Sequence, residues 1–332
     1  MINIETLKND IGTLCAHPDR AIGSPGRIKA KEYIKHRLKM LKAASYNDGV
    51  DDPGLKYANG PIEFENIMVR IPGRGSRNRP FLVGAHYDTV RGCPGAIDNA
   101  AAVAVLFYVI EAIKPGMLDR DLIVGFFDAE EPPFFQSDFM GSTYFYRHQR
   151  KQDDAIACAV ILDLIGHNIH LPLGMLRDTF FITGMETHQA FEPMLNSVEL
   201  ADEHSFIPIT NAYMGDLSDQ YVFNMNNIPF LMITSGVNKE YHLPTDTPAC
   251  VDYKILKNAS RLLMKILKKT GMSQEIDSPK NEAYDPIATE LKFTMSKVHP
   301  WILRLLGVTR TSSREDLAKV AMKLRNFIRR NH

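Results

Sequence analysis

Short apolar runs constrain this 332-residue chain more than any other feature: FLVGA at 81–85, LIVGFF at 122–127, IACAVIL at 156–162 and IPFLMIT at 228–234. Helical patterns alternate with them, Ala100–Ile113 before the second and Gly141–Arg150 before the third. Strands apolar along their whole length are buried on both faces, and a strand–helix–strand rhythm favours parallel pairing. The expected fold class is α/β, a mainly parallel central β-sheet sandwiched by helices in three layers. Strands are expected at Asn66–Ile71, Phe81–Ala85, Leu122–Phe127, Ile156–Leu164, Phe180–Thr183 and Ile228–Thr234. Further helices are expected at Ile4–Cys15, from Ser24-Pro25 (N-cap and first turn) to about Leu41, and from Tyr253 to about Lys269. The polar stretch Ser45–Gly60 reads as a loop. No internal repeat is evident, and GRGSRNRP at 73–80 is the one loop-like low-complexity piece.

Composition narrows the classes. With 45% hydrophobic and 23% charged residues the chain is globular, neither disordered nor fibrous. Thirty-nine basic residues balance thirty-nine acidic ones, so no global field draws it to nucleic acid or to a membrane. The longest apolar run, Ala100–Ile110, is too short to span a bilayer, and MINIETLKND has no basic lead into an apolar stretch. A cytoplasmic protein is expected. Cys15, Cys93, Cys158 and Cys250 lie far apart without a C-x-x-C pair, against a disulfide framework or a thiolate zinc site.

The charge is uneven. Residues 288–332 hold ten Lys/Arg and three Asp/Glu, a net +7, which divides the chain into a main domain, 1–287, and a basic C-terminal helical extension, 288–332. Ser312 and Glu315 have capping-box spacing, and Leu317, Val320, Ala321, Leu324, Phe327 and Ile328 follow with helical periodicity. Such a helix docks on its own domain or on a second copy, which leaves a homo-oligomer open; a basic surface-binding helix is the alternative.

The chemistry sits at the strand ends. His86 and Asp88 follow FLVGA, Glu130 and Glu131 follow LIVGFFDA, Asp163 follows IACAVIL, and His242 lies beyond IPFLMIT. Asp98 precedes the buried helix. Ligands of open α/β sheets bind at the carboxyl ends of the strands, so these residues are expected to share one crevice. A lone histidine at a strand end is ordinarily structural, and an acid before a helix is ordinarily a cap. Four strand ends all carrying imidazole or carboxylate form a site. Two imidazoles with carboxylates suit zinc, cobalt or manganese. The carboxylates of Asp98, Glu131 and Asp163, with a bridging hydroxide, balance two divalent ions. Asp88 supplies a carboxylate beside His86, and Asp246 is expected to do so for His242. In an extended Glu130-Glu131 pair the side chains diverge, so one ligates and the other is free for acid–base work.

The motifs HYDTVRGCPGAIDNAAAVAVL, FFDAEEPPFF, MGS, ILDLIG, SDQYVF, IPFLMIT and YHLPTDTP run in an order that resembles the co-catalytic di-zinc aminopeptidases of the bacterial leucyl type. Glutaminyl cyclases share that fold. The resemblance spans roughly residues 60–270. It implies one zinc on His86, Asp98 and Asp163, and a second on Asp98, Glu131 and His242. It also implies Glu130 as general base on the metal-bridging water and Asp88 as the residue that orients the histidine.

Ala100-Ala101-Ala102 stands where the family commonly has A-S-G, and Gln220 where it has histidine, without loss of a ligand. His167 and His170 read as loop residues; His148, His188 and His204 match nothing. The expected activity is therefore a zinc-dependent aminopeptidase acting on peptides with a free N-terminus. The rival is a single-zinc glutaminyl cyclase, which ILDLIG and Asp219 fit equally well. Against it, Tyr241 precedes His242 where cyclases have tryptophan, and the chain's one tryptophan is Trp301. A non-catalytic binding module is a third reading, and the intact ligand set opposes it.

Overall fold

Every residue of Phe81–His86 and Leu122–Phe127 is buried, as strands covered on both faces must be. The computed structural model describes residues 2–47, 50–75, 79–151, 155–168, 179–199, 205–280 and 284, with isolated positions at 304, 307, 315, 316, 319, 322 and 323. Its first half runs α1 (Ile4–Leu14), α2 (Pro25–Met40), β1 (Gly54–Asn59), β2 (Ile62–Ile71), β3 (Phe81–His86), α3 (Ala101–Ala112), β4 (Leu122–Phe127) and α4 (Gly141–Lys151). The second half runs β5 (Ala159–Leu162), β6 (Thr179–Thr183), α5 (Phe191–Glu199), β7 (Ser205–Ile209), α6 (Asn211–Met214), α7 (Gln220–Met225), β8 (Phe230–Thr234) and α8 (Tyr253–Met272). Of the basic helix expected around Ser312–Ile328 only positions 315, 316, 319, 322 and 323 are described, all of them helical; His170, His204 and Trp301 lie outside the described residues.

The eight strands form one mixed sheet in the order β1-β2-β4-β3-β5-β8-β6-β7. Its centre, β4-β3-β5-β8, is parallel throughout. On one flank β2 pairs antiparallel with both β4 and β1; on the other, β6 pairs antiparallel with β8 and parallel with β7. Alternate strand residues feed two cores. Val83, Val124, Val160 and Ile233 face α1, α2, α3, α5 and α8, while Leu82, Ile123, Ile161 and Met232 face α4 and α7. That is the expected three-layer sandwich. The α3 helix is apolar almost all round and lies in the larger core, which is where such a helix is stable.

Two edges depart from the expectation. Gly54–Asn59, inside the stretch expected to be a loop, pairs with Asn59 opposite Ile62 and Gly54 opposite Ile67. Leu55 is its one fully buried residue, so an edge strand of this kind carries little apolar signal. At the far edge Ser205–Ile209 contains Pro208, which an edge strand tolerates and a central one does not.

The chain passes from β3 through α3 to β4 on one side, then crosses β3 to reach β5 on the other. This reversal opens a crevice at the carboxyl ends of the central strands. Among the described residues, no helix is long and apolar enough to cross a membrane.

Candidate metal centre

The crevice collects all seven candidate residues. His86 ends β3, and Asp88 follows two residues later. Glu130 and Glu131 leave β4 through Ala129, which takes the left-handed conformation (φ 56°). Asp163 follows β5 directly, and His242 comes from the loop after β8. All but His242 are buried, and His242 is 30% exposed at its side chain, so the crevice opens beside it. Asp98 lies between β3 and α3 with extended backbone (φ −116°, ψ 80°), and the N-cap of α3 is Ala100, with no side-chain cap. Asp98 is therefore not a helix cap; its carboxylate is turned into the crevice.

Asp98 organises the cluster. Its Oδ1 is 3.2 Å from His86 Nε2, and its Oδ2 is 3.3 Å from His242 Nε2. Around the first contact, Asp163 Oδ1 lies 3.5 Å from His86 Nε2; around the second, Glu131 Oε2 lies 3.2 Å from His242 Nε2. Two groups of three ligands, His86–Asp98–Asp163 and Asp98–Glu131–His242, thus share one carboxylate. A third grouping joins His86, Glu130 and Glu131. In it Glu130 Oε2 sits 3.8 Å from His86 Nε2 while Glu131 Oε2 lies against His242; the two carboxylates do not point to opposite sides as expected, since they come within 4.8 Å of each other.

The surroundings hold these groups by their backbones. Asp88 faces His86 Nδ1 at 3.5 Å and accepts the N–H groups of Glu130 and Glu131, both at 3.1 Å. One carboxylate thereby fixes the ends of two strands. Asp246 corrects an expectation. Its carboxylate accepts the N–H groups of Ile97 (2.9 Å) and Asp98 (3.1 Å), so it orients Asp98 and not His242. Asn99 donates to Leu162 O at 2.9 Å, and Asp128 receives Arg27 Nε at 2.9 Å and the N–H of Glu65 at 2.8 Å. The Arg27–Asp128 pair is fully interior, where removing one partner typically costs about 3–5 kcal/mol. It anchors the turn into Glu130.

Two buried atoms of the ligand groups lack hydrogen-bond partners, Asp163 Oδ1 and His242 Nε2, while His86 Nδ1, also without one, faces Asp88. Buried acceptors without donors are costly, and a cation is what such a set satisfies. The donor set, imidazole nitrogen and carboxylate oxygen, fits zinc. Protonation points the same way. Burial, with Asp98 adding repulsion, pushes Glu131 up to about 7. Burial opposes the charged form of His242, yet Asp98 and Glu131 raise it to about 10. Against the upward pull of burial, His242 and His86 hold Asp98 below the usual carboxylate range. Without a metal the cluster keeps protons; divalent ions displace them.

Other residues find plainer places. His167 is buried between Asn168 O (3.1 Å) and Gly236 O (2.8 Å), a structural tie between loops. His188 lies against Ser278 O at 3.0 Å and accepts the N–H of Ala190, and His148 stacks near Tyr144, so neither joins the cluster. Tyr241 stacks on the His242 ring at 3.7 Å. Asp219 was outside the expected ligand set, yet it is fully buried, with burial raising it to about 7 and His86 as the strongest opposing charge. Its sequence signal was the Ser218-Asp219-Gln220 motif alone.

The family description "Peptidase family M28" matches residues 66–267, a span that includes every residue of both ligand groups. The chain belongs to peptidase family M28. Among curated relatives, an uncharacterized Escherichia coli protein, YfbL, is 26% identical over 73% of this chain and 80% of its own length. The glutaminyl-peptide cyclotransferase of Boiga irregularis is 25% identical over 74% of this chain and 77% of its own. The Legionella pneumophila LapA aminopeptidase superposes with a TM-score of 0.67 over 82% of this chain and 72% of its own, at 14% identity, a likeness of fold. Membership of this family supports a zinc-peptidase type of activity for the chain.

Zinc affinity should rise with pH. Glu131 must lose its proton near pH 7, and His242 its proton above that, before either can ligate. Between pH 8 and pH 6 the affinity is expected to fall on the order of tenfold per pH unit for each proton displaced. Chelator competition at the two pH values measures it, and a pH-independent affinity would contradict the ligand set.

Proposed function

We propose that this chain is a zinc-dependent aminopeptidase that removes the N-terminal residue of peptides with a free amine. The observation that carries the reading is the shared carboxylate: Asp98 offers one oxygen to each of two ligand groups. His86, Asp98 and Asp163 would hold one zinc, and Asp98, Glu131 and His242 a second. Bound there, zinc supplies a Lewis acid for the scissile carbonyl and lowers the pKa of water.

The protein's own groups do the rest. Glu130 is the general base: its carboxylate takes a proton from the attacking water and passes it to the leaving amine. Burial pushes Glu130 well above the usual glutamate range, against the pull of His86, with Glu131 adding to the rise. Asp88 keeps Glu130 and Glu131 in register by accepting both of their N–H groups. The remaining carboxylates receive the substrate's amine through charge-assisted hydrogen bonds. Cytoplasmic residence is part of the proposal, supported by four cysteines that stand as free thiols.

The second reading is a glutaminyl cyclase, favoured by the cyclotransferase relative that aligns along most of both chains. Tyr241 opposes it, in the place where cyclases resemble one another in having tryptophan.

Two outcomes are expected. Glu130→Gln should lose on the order of 10²–10⁴-fold in rate while metal content stays at the wild-type level, and Glu131→Gln should lose metal. The reverse pattern, read by elemental analysis, would exchange the two roles. Leucyl anilide should be hydrolysed and its N-acetylated form should not. Conversion of an N-terminal glutaminyl peptide to 5-oxoproline, with no leucine released, would establish the cyclase instead.

A further inference from the structure

Arg20 is among the bulkiest side chains that are fully buried, with 1% exposure. Its hydrogen-bond partners include no carboxylate. Nε donates to Tyr87 O at 2.6 Å, Nη2 to Gly95 O at 2.9 Å, and Nη1 to Pro94 O and, at 3.4 Å, to Leu14 O at the end of α1. Its own backbone N–H donates to Thr89 Oγ1 at 2.8 Å. The other fully buried arginine, Arg120, is ion-paired with Asp277. A guanidinium is a rigid, planar fork of five donors, and here three of its contacts go to one loop while the others, Leu14 O and Cys15 Sγ at 3.8 Å, tie that loop to the end of α1.

That loop, 87–95, joins His86 to the segment carrying Asp98. It has no regular structure; Gly95 O also accepts the N–H of Ala100 at 3.0 Å and Val90 O that of Cys93 at 3.3 Å, while Arg20 is the donor to Tyr87 O and Pro94 O. Tyr87 O lies one residue after His86, and Gly95 O three residues before Asp98. The neighbouring residue grips the same loop, as Asp19 Oδ2 accepts the N–H of Gly92 at 2.8 Å. Gly95 is left-handed (φ 64°), and a Cβ there would run into Asp98 O and crowd Arg20 Nη2, so the contact allows no side chain.

We infer that Arg20 is a positioning residue of the metal centre, its guanidinium holding the 87–95 loop so that His86 and Asp98 stand at ligating separation. This rests on reading His86 and Asp98 as metal ligands. Arg20 touches no reacting group and acts through the loop alone. It lies outside residues 66–267, so the part of the chain that matches the family depends on the N-terminal segment for its metal affinity.

The test measures zinc affinity by chelator competition on the full-length apo-protein, for wild type, Arg20→Ala, Arg20→Lys and His86→Ala, with circular dichroism on each. Arg20→Ala is expected to stay folded and to bind zinc about 10–100-fold more weakly. Arg20→Lys, which keeps the charge without the fork, should lose less. Excess zinc should restore occupancy in both. Wild-type affinity in Arg20→Ala would overturn the proposal, as would loss of the folded state in both arginine variants, which would make Arg20 a stability residue. Undiminished zinc binding by His86→Ala would sink the ligand set itself, a failure distinct from the first two.

Discussion

The structure is organised around a repulsion. Asp88, Asp98, Glu130, Glu131, Asp163 and Asp219 are buried at one edge of the sheet beside two imidazoles. Among the described residues, no lysine or arginine forms an ion pair with any of the six. Burial raises the proton affinity of carboxylates taken out of water, and their mutual repulsion adds to it, as the upward drift of Glu130, Glu131 and Asp219 records. Such a cluster is stable only if protons or cations neutralise it. Two imidazoles that turn ring nitrogens towards the carboxylates make divalent metal the fitting counter-charge.

The rest of the fold supplies the rigidity that such a cluster needs. The four parallel central strands deliver their ends to one edge, and the two apolar layers keep those ends fixed. Side chains from distant parts of the chain then hold the connecting loops by backbone contacts: Asp246 on Ile97 and Asp98, Asp88 on Glu130 and Glu131, and Arg20 on Tyr87 and Gly95. Each contact holds the main chain at or beside a member of the cluster and leaves that member's side chain free. This is a common division of labour around metals, in which the outer groups set geometry and the inner ones bind.

How much of this was legible in the sequence follows from the range of each signal. The central strands are local patterns, and Leu122–Phe127 matches its expected bounds. His86, Glu130, Glu131 and Asp163 were readable because each adjoins such a pattern. Asp98 and His242 sit on connections, and their placement came from the order of motifs around them. Edge strands were harder: Gly54–Asn59, with one buried residue, lacks the apolar run, and the apolar Ser205–Ile209 is interrupted by Pro208. Arg20 and the true role of Asp246 were invisible for another reason. Their partners beside the site lie 67 to 149 residues away and are backbone groups, which leave no residue type to recognise.

The central claim is that Asp98 is shared by two metal ions. A crystal of the zinc-loaded protein, measured at the zinc absorption edge, tests it directly through the anomalous difference map. Two peaks are predicted, one against His86, Asp98 and Asp163 and one against Asp98, Glu131 and His242. A single peak under zinc-replete conditions, or two that leave Asp98 uncoordinated, would contradict it.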